Sequence, residues 1–290
     1  MNVKRKKITK GNHAFIIICV FISLVCVIPM INLLARSLSG TEFLVKHSVY
    51  LLPKGLNFEA YALVLGDPKY IKAFLWTVFL TVVCTVVSLT ITAMCAYPLI
   101  FKELKGRGIF NIIITITMFF GAGTIPNYLL MKRLGLLNNP LVLIIPACMS
   151  VYNMIIMRSF FYGIPDSLRE SARVDGASHL IILMRIYIPL SKPVFATLAL
   201  FYAVGRWNGY SDALMYMNNK DFYPLQLLLY NILNNINSVE VAAQEGFVSP
   251  GLSESIKAAI VMFSTIPILM VYPWLQRYFI AGVTLGAVKE

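Results

Sequence analysis

Long apolar runs alternate with shorter polar segments along the chain. Because the hydrocarbon core of a bilayer takes roughly 20 apolar residues per helical crossing, each run without Asp, Glu, Lys or Arg is a candidate membrane span. One further run carries Arg206 and Asp212 in its second half. The pattern predicts an all-α integral membrane protein with six transmembrane helices, at residues 14–35, 73–101, 109–131, 141–157, 194–217 and 258–276.

The connections between the predicted spans differ in length and composition. Residues 36–72 form an external segment rich in turn formers, whereas the connections at 102–108 and 132–140 are short, which indicates antiparallel neighbouring helices. The last external segment, 218–257, holds six asparagines, and its stretch PLQLLLYNIL has the apolar spacing of a helix. The long connection between the fourth and fifth spans has a helical pattern of its own.

Composition and charge agree with a membrane protein. The chain is 58% hydrophobic and 13% charged, too apolar to cover itself with a water-facing surface. Its net charge of +12 would suit a nucleic-acid-binding protein, but the basic residues are spread over segments that alternate with apolar runs. With the amino terminus inside, 15 of the 25 Lys and Arg residues fall on the cytoplasmic side. We therefore expect both tails, residues 1–13 and 277–290, to be cytoplasmic.

The amino-terminal basic cluster followed by an apolar run is also the pattern of a secretory signal peptide. The run is longer than a signal core, and no small-residue cleavage site follows it, so we expect a retained anchor. No pair of cysteines has metal-ligand spacing, and we expect no metal site. All five cysteines lie inside apolar runs: Cys19, Cys26, Cys84, Cys95 and Cys148.

The connection at residues 164–193 reads IPDSLRESARVDGASHLIILMRIYIPLSKP. Ser167 followed three residues later by Glu170 forms a capping box, which predicts that a helix starts there. Gly176 supplies a left-handed position where that helix can end. A second helix is predicted at about 178–187, before two prolines bend the chain back into the membrane. A soluble partner could grip this exposed pair of helices.

The same segment resembles the cytoplasmic loop of the permease subunits of binding-protein-dependent ABC importers. In that family Glu-Ala-Ala is followed after three residues by Gly, and later by Ile-x-Leu-Pro; here Ser171 replaces one Ala, and Ile188 replaces the Leu. The resemblance implies a coupling helix that sits in a cleft of an ATPase subunit. Glu170 would otherwise only complete the capping box, and Asp175 would only end the helix. The coupling residues implied by the resemblance are Glu170, Ser171, Ala172, Asp175, Gly176 and Ala177.

The resemblance extends over residues 70–290. Within the family, the chain is most similar to the carbohydrate-uptake branch, in particular a Gram-positive subgroup associated with complex oligosaccharides. It is carried by the sequences at 120–146, 151–161 and 200–214 and by the tail GVTLGAVKE. It implies a type I importer permease whose core occupies residues 73–276, in a bacterial plasma membrane.

The resemblance also implies the partners. They are a second homologous permease subunit, two ATP-binding subunits that carry ATP and Mg²⁺, and an extracellular solute-binding protein that delivers an oligosaccharide. We expect no cofactor, no catalytic residue and no nucleic-acid partner for this chain. It has no Gly-rich phosphate loop ending in Gly-Lys-Ser or Gly-Lys-Thr, so another chain must hydrolyse ATP.

Three alternative functions make different demands on the sequence. An ion-coupled transporter needs ionisable residues inside the membrane, and only Arg206 and Asp212 qualify. A membrane-embedded enzyme needs a nucleophile and base, a metal cluster or paired carboxylates, but His13, His47 and His179 fall in separate segments. The same permease architecture with a non-sugar solute stays open, because the coupling loop does not read the substrate.

Aromatic rings and amides would suit a sugar path, because rings stack on pyranose faces and amides bond to hydroxyl groups. Tyrosine and tryptophan also belt membrane interfaces, and intramembrane asparagine bridges helices, so each candidate has a purely structural alternative. The candidates are Asn127, Tyr128, Tyr152, Asn153, Trp207 and Asn208.

Overall fold

The computed structural model describes residues 10–234 and 250–287. Within these residues the chain is helical, and its only extended pairing is an isolated bridge between Ser39 and Leu56. Three helices are long and apolar enough to cross a bilayer, at Phe15–Ser37, Pro68–Ile100 and Gly251–Val271. Three bent helix pairs raise the number of spans to six if each pair crosses once. The predicted all-helical membrane fold is confirmed.

The helices are numbered here in chain order. They are α1 Lys10–Ser37, α2 Thr41–Val45, α3 Glu59–Gly66, α4 Pro68–Ala96, α5 Arg107–Phe119, α6 Thr124–Arg133, α7 Val151–Phe161, α8 Asp166–Val174, α9 His179–Leu190, α10 Lys192–Trp207, α11 Ser211–Tyr216, α12 Leu225–Asn234 and α13 Pro250–Ala287.

The first bent pair replaces the continuous helix expected at 109–131. Helix α5 ends at Phe119, and α6 begins at Thr124 after a bend of 114°. Gly123 in the break has φ +87°, a conformation that glycine adopts without strain. The sequence FGAG at the break therefore ends one helix and starts another, which the apolar pattern alone does not show.

The second bent pair divides the span predicted at 141–157, and the third joins the helix predicted at about 178–187 to the span predicted at 194–217. Two 3₁₀ turns, Pro140–Leu143 and Ile145–Ala147, precede α7, with a bend of 45° between the turns and the helix. Helices α9 and α10 meet at 86°, where Ser191 separates them. The expected span at 194–217 ends early, because α10 stops at Trp207 and Asn208–Tyr210 separate it from the short helix α11.

One compact unit of the chain comprises Met1–Pro68 and Asn231–Thr265. The side chains of α1 are exposed over residues 15–28. In the last turn of α1, Arg36 Nη1 lies 3.0 Å from Glu254 Oε1. A Cβ atom on Gly251 would lie 2.3 Å from the carbonyl oxygen of Thr41, so α13 approaches α2 closely only because this residue is glycine. The segment expected at 36–72 thus contains two short helices and the start of α4.

The second compact unit comprises Lys69–Tyr230 and Ile266–Glu290. Its larger core joins the end of α4 to α7, α9 and α10 through residues such as Tyr97, Phe161, Tyr187 and Leu198. A smaller core contains Leu227 of α12, which confirms the helix predicted in PLQLLLYNIL. The remainder of the expected external segment, residues 235–249, lies outside the described residues, as do residues 1–9 and 288–290 of the two tails.

Candidate functional site

The first candidate is a helix–turn–helix formed by α8, residues 175–178 and α9, called the knob below. Gly176 follows α8 with φ +78°. The amide of Gly176 donates to the carbonyl oxygen of Arg173 at 3.0 Å, and the amide of Ala177 donates to that of Ala172 at 2.9 Å. These two bonds satisfy carbonyl groups at the helix end in the Schellman pattern. The predicted glycine bend is confirmed.

The start of α8 differs from the prediction. The helix begins at Asp166, with Pro165 at the N-cap position and no side-chain cap, so Ser167 lies inside the first turn. The expected capping box between Ser167 and Glu170 is therefore wrong. Proline has a fixed φ that suits a helix entry, and the Asp166 carboxylate interacts favourably with the positive end of the helix. The side chain of Glu170 is 69% exposed and takes no part in capping the helix.

The two faces of the knob contrast. Ala172 and Ala177 turn inward and pack on the core beneath, so they hold the knob to its own base. Ser171, Asp175 and Gly176 lie on the exposed face with Glu170. Sequence reasoning missed four apolar side chains that are also exposed on the knob: Val174, which is 88% exposed, and Leu180, Ile181 and Met184. Exposed apolar surface of this kind is typical of a protein or membrane interface.

Arg169 is the second feature that sequence reasoning missed. Its residue exposure is 8%, although it lies in a helix that is otherwise largely exposed. Its guanidinium carbon lies 4.9 Å from the ring centroid of Phe101, which follows the 3₁₀ turn at the end of α4. The only sequence signal was its position three residues after Asp166, on the same face of the helix.

The second candidate is a cavity of about 950 Å³. Its walls come from α4, residues 147–153, α10 and the start of α11. Tyr152 and Asn153, both predicted for the solute path, line it; Tyr152 is exposed, and Asn153 is buried in the wall. Four other lining residues contribute hydroxyl groups: Ser88, Ser150, Tyr202 and Ser211. The cavity thus combines aromatic surface with neutral hydrogen-bonding groups.

An ion pair forms one part of the cavity wall. Arg206 Nη2 donates to Asp212 Oδ1 at 3.1 Å, and Arg206 Nη1 donates to the carbonyl oxygen of Leu143, also at 3.1 Å. Arg206 is buried, so its charge needs this compensation. The pair ties the end of α10 to α11 and to the turn at Pro140–Leu143.

The other four predicted path residues lie outside the cavity lining. Tyr128 stacks with Tyr216 at 6.1 Å between ring centroids, and Asn127 lies beside it on the exposed helix α6. Trp207 is buried and contacts the ring of Phe74 edge-on. The side-chain amide of Asn208 donates to the carbonyl oxygen of Val204 at 3.0 Å. Within the described residues no group of three His, Cys, Asp or Glu side chains could hold a metal ion.

Comparison with known proteins gives a family and several relatives. The family model of the binding-protein-dependent transport system inner membrane component matches residues 4–285. The polygalacturonan/rhamnogalacturonan transport system permease protein YtcP of Bacillus subtilis strain 168 is 38% identical, over 92% of this chain and 94% of that protein. Protein LplC of the same organism is also 38% identical, over 91% of this chain and 90% of its own length.

A solved structure is similar throughout. It is the crystal structure of a bacterial ABC transporter involved in the import of the acidic polysaccharide alginate, with a TM-score of 0.85 and 35% identity. The match covers 96% of this chain and 99% of that one. This chain therefore belongs to the family of binding-protein-dependent transport system inner membrane components and is a multi-pass, non-enzymatic permease subunit of an ABC importer, which works with an ATPase and a substrate-binding protein.

Proposed function

We propose that this permease carries an oligosaccharide into a bacterial cell, using ATP that separate subunits hydrolyse. The observation that carries the proposal is the exposed, glycine-terminated knob in a chain whose relatives are named for polygalacturonan, rhamnogalacturonan and alginate transport. Those three substrates are polysaccharides, so a carbohydrate cargo is favoured over other solutes.

The proposed topology puts both termini and the knob on the cytoplasmic side. The distribution of Lys and Arg supports it, because basic residues favour the cytoplasmic face. A second homologous permease subunit completes the path in this proposal. The exposed apolar surface of α1 over residues 15–28 is available for lipid or for that subunit. An extracellular solute-binding protein then delivers the cargo to the outer face.

In the proposed mechanism the outward face of the knob enters a cleft of an ATPase subunit. Glu170 pairs there with a basic group, Val174 fills an apolar pocket, and Ser171, Asp175 and Gly176 complete the contact. Two such ATPase subunits bind ATP and Mg²⁺. Their closure on ATP moves the knobs as rigid bodies and changes the access of the cavity from inside to outside. This chain binds neither ATP nor Mg²⁺ in the proposal.

The cavity is the proposed solute path through this subunit. Its volume of about 950 Å³ lies within the range of roughly 300–1,000 Å³ that is typical of small-molecule sites. The exposed ring of Tyr152 can stack on a pyranose face, and the amide of Asn153 can bond to sugar hydroxyl groups. Asn127, Tyr128, Trp207 and Asn208 lie outside the lining and have no direct sugar contact in this proposal.

The test is uptake into proteoliposomes that contain the complete importer and its binding protein. Oligosaccharide uptake should require ATP inside the vesicle if the knob faces the cytoplasm. Glu170→Lys should leave the complex assembled but reduce uptake by about tenfold, because an interface charge is reversed. Ser167→Ala is the matched control on the same helix and should transport normally, because Ser167 caps nothing. Uptake of amino acids or inorganic ions in place of every tested saccharide would overturn the cargo assignment.

A further inference from the structure

We propose that Arg169 is a positioning residue that fastens the first helix of the knob to the end of α4, so that movement of the knob is transmitted to α4. The inference rests on the proposed coupling function of the knob. It adds a residue that does not meet the ATPase subunit and acts through its neighbours inside this chain.

The burial of Arg169 is the first observation. The Arg169 side chain is only 10% exposed, and its charge needs compensation, since an isolated buried cation is strongly unfavourable. Three carboxylates surround it: Asp166 Oδ1 lies 3.6 Å from Nη2, Glu170 Oε1 lies 3.9 Å away, and Glu103 Oε1 lies 4.0 Å away. At these distances the carboxylates compensate the charge without short hydrogen bonds. No single acidic group holds the guanidinium in one geometry.

The location of these groups is the second observation. Asp166 and Glu170 belong to the same helix as Arg169, whereas Glu103 lies in the turn between α4 and α5. Arg169 therefore contacts a residue, Glu103, that lies 66 positions earlier in the sequence. The exposed carboxylate of Glu103 adds a weak electrostatic contact between the knob and the turn that follows α4.

The ring of Phe101 is the third observation. The guanidinium of Arg169 lies over this ring at 4.9 Å, a distance within the range of attractive cation–π contacts. The same ring contacts Tyr97 edge-on at 4.9 Å and His179 at 5.5 Å. Phe101 is therefore clamped between the end of α4 and both helices of the knob. A displacement of α8 must move this ring or break its contact with Arg169.

The experiment compares Arg169→Met with Arg173→Met in the complete importer in proteoliposomes. Arg173 is an exposed arginine on the same helix and is the matched control. Arg169→Met should retain the ATPase subunits and its thermal unfolding midpoint, but lower the number of solute molecules imported per ATP by about fivefold or more, the scale of a typical coupling free energy. Arg169→Lys should restore most of the ratio, because it keeps the charge. Arg173→Met should resemble the wild type.

A double-mutant cycle separates positioning from general stability. Phe101→Leu should lower the import-to-ATP ratio as Arg169→Met does, and the double variant should be no worse than either single variant if both act through one contact. A normal ratio in Arg169→Met, or additive defects in the double variant, would overturn the proposal. If Arg169→Met fails to assemble, Phe101→Leu decides: a lowered ratio supports the proposal, and a normal ratio overturns it.

Failure of this inference can be told apart from failure of the proposed function. Glu170→Lys is measured in parallel, because it alters the outward face of the knob directly. If Glu170→Lys lowers the import-to-ATP ratio and both Arg169→Met and Phe101→Leu do not, only the role of Arg169 is overturned. If none of the three changes the ratio, the proposed coupling function of the knob is overturned as well.

Discussion

The knob and the cavity lie in the same unit of the chain but are specified in different ways. The bonds that end α8 join near neighbours, such as Ala177 to Ala172. In the cavity wall, Arg206 bonds to the carbonyl oxygen of Leu143, 63 positions away, and Ser88 bonds to Ala147, 59 positions away. Backbone rules within one segment specify the knob, whereas the cavity exists only after distant helices have packed. Damage to the two regions should therefore have different signatures.

Gly176→Trp should have the largest effect on transport. The left-handed φ of +78° is strained for any residue with a Cβ, so the angle between the two helices of the knob should change. We expect uptake to fall by about tenfold or more while the protein stays in the membrane, because coupling free energies reach that size. Gly108→Trp is the control. A Cβ atom at Gly108 would also meet no atom within 4 Å, but Gly108 does not have a positive φ. Normal uptake by Gly176→Trp would contradict the coupling role.

Asp212→Asn should have the largest effect on stability. It leaves the buried charge of Arg206 uncompensated, and we expect a loss of about 3 kcal/mol in the free energy of unfolding, measured from thermal or denaturant unfolding in detergent. The double variant Arg206→Met with Asp212→Leu removes both charges and should recover most of that loss. If the double variant is as unstable as Asp212→Asn, the ion pair is not the reason for the loss.

Tyr152→Leu should weaken solute recognition without disturbing the knob. The exposed ring lines the cavity, so we expect KM for uptake to rise by about fivefold, from a stacking loss of roughly 1 kcal/mol. The import-to-ATP ratio should stay unchanged. Tyr128→Leu is the control, because Tyr128 stacks on Tyr216 outside the cavity lining. An equal rise in KM for both variants would show that the cavity is not the recognition site.

Val174→Ser should have the smallest effect. Val174 is 88% exposed, so the free energy of unfolding should change by less than about 0.5 kcal/mol. Binding of the ATPase subunit, measured by titration of the reconstituted permease, should weaken by about fivefold if Val174 fills an apolar pocket of the partner. Unchanged binding would remove Val174 from the proposed interface and leave Glu170 as its principal contact.

The sequence predicted the knob better than the cavity for reasons that particular residues make clear. Gly176 carries a backbone requirement that is local, so its role as a helix end could be predicted. The capping box failed because Pro165 already starts α8 at Asp166, and a spacing rule does not show which of two neighbouring starts is used. The resemblance implied a contact between Glu170 and a partner, and its side chain is exposed, as such a contact requires.

The cavity could be predicted only in part. Tyr152 and Asn153 were chosen because they fit sugar chemistry, and they lie in the first turn of α7, where they line the cavity. Trp207 fits the same chemistry but is buried against Phe74, a contact between distant segments that the residue type does not reveal. Likewise, the apolar run at 109–131 gave no sign that Gly123 breaks it. Hydropathy indicates that a segment lies in an apolar environment, but it does not show where the helix bends.

Uptake into proteoliposomes can distinguish ATP-driven oligosaccharide import through this permease from ion-driven transport. The complete importer is reconstituted with its binding protein, and uptake of a labelled oligosaccharide is followed with ATP inside the vesicles, without ATP, and with an imposed proton or sodium gradient alone. We expect uptake only when ATP is present, with no contribution from the ion gradients. Uptake driven by an ion gradient without ATP would contradict it.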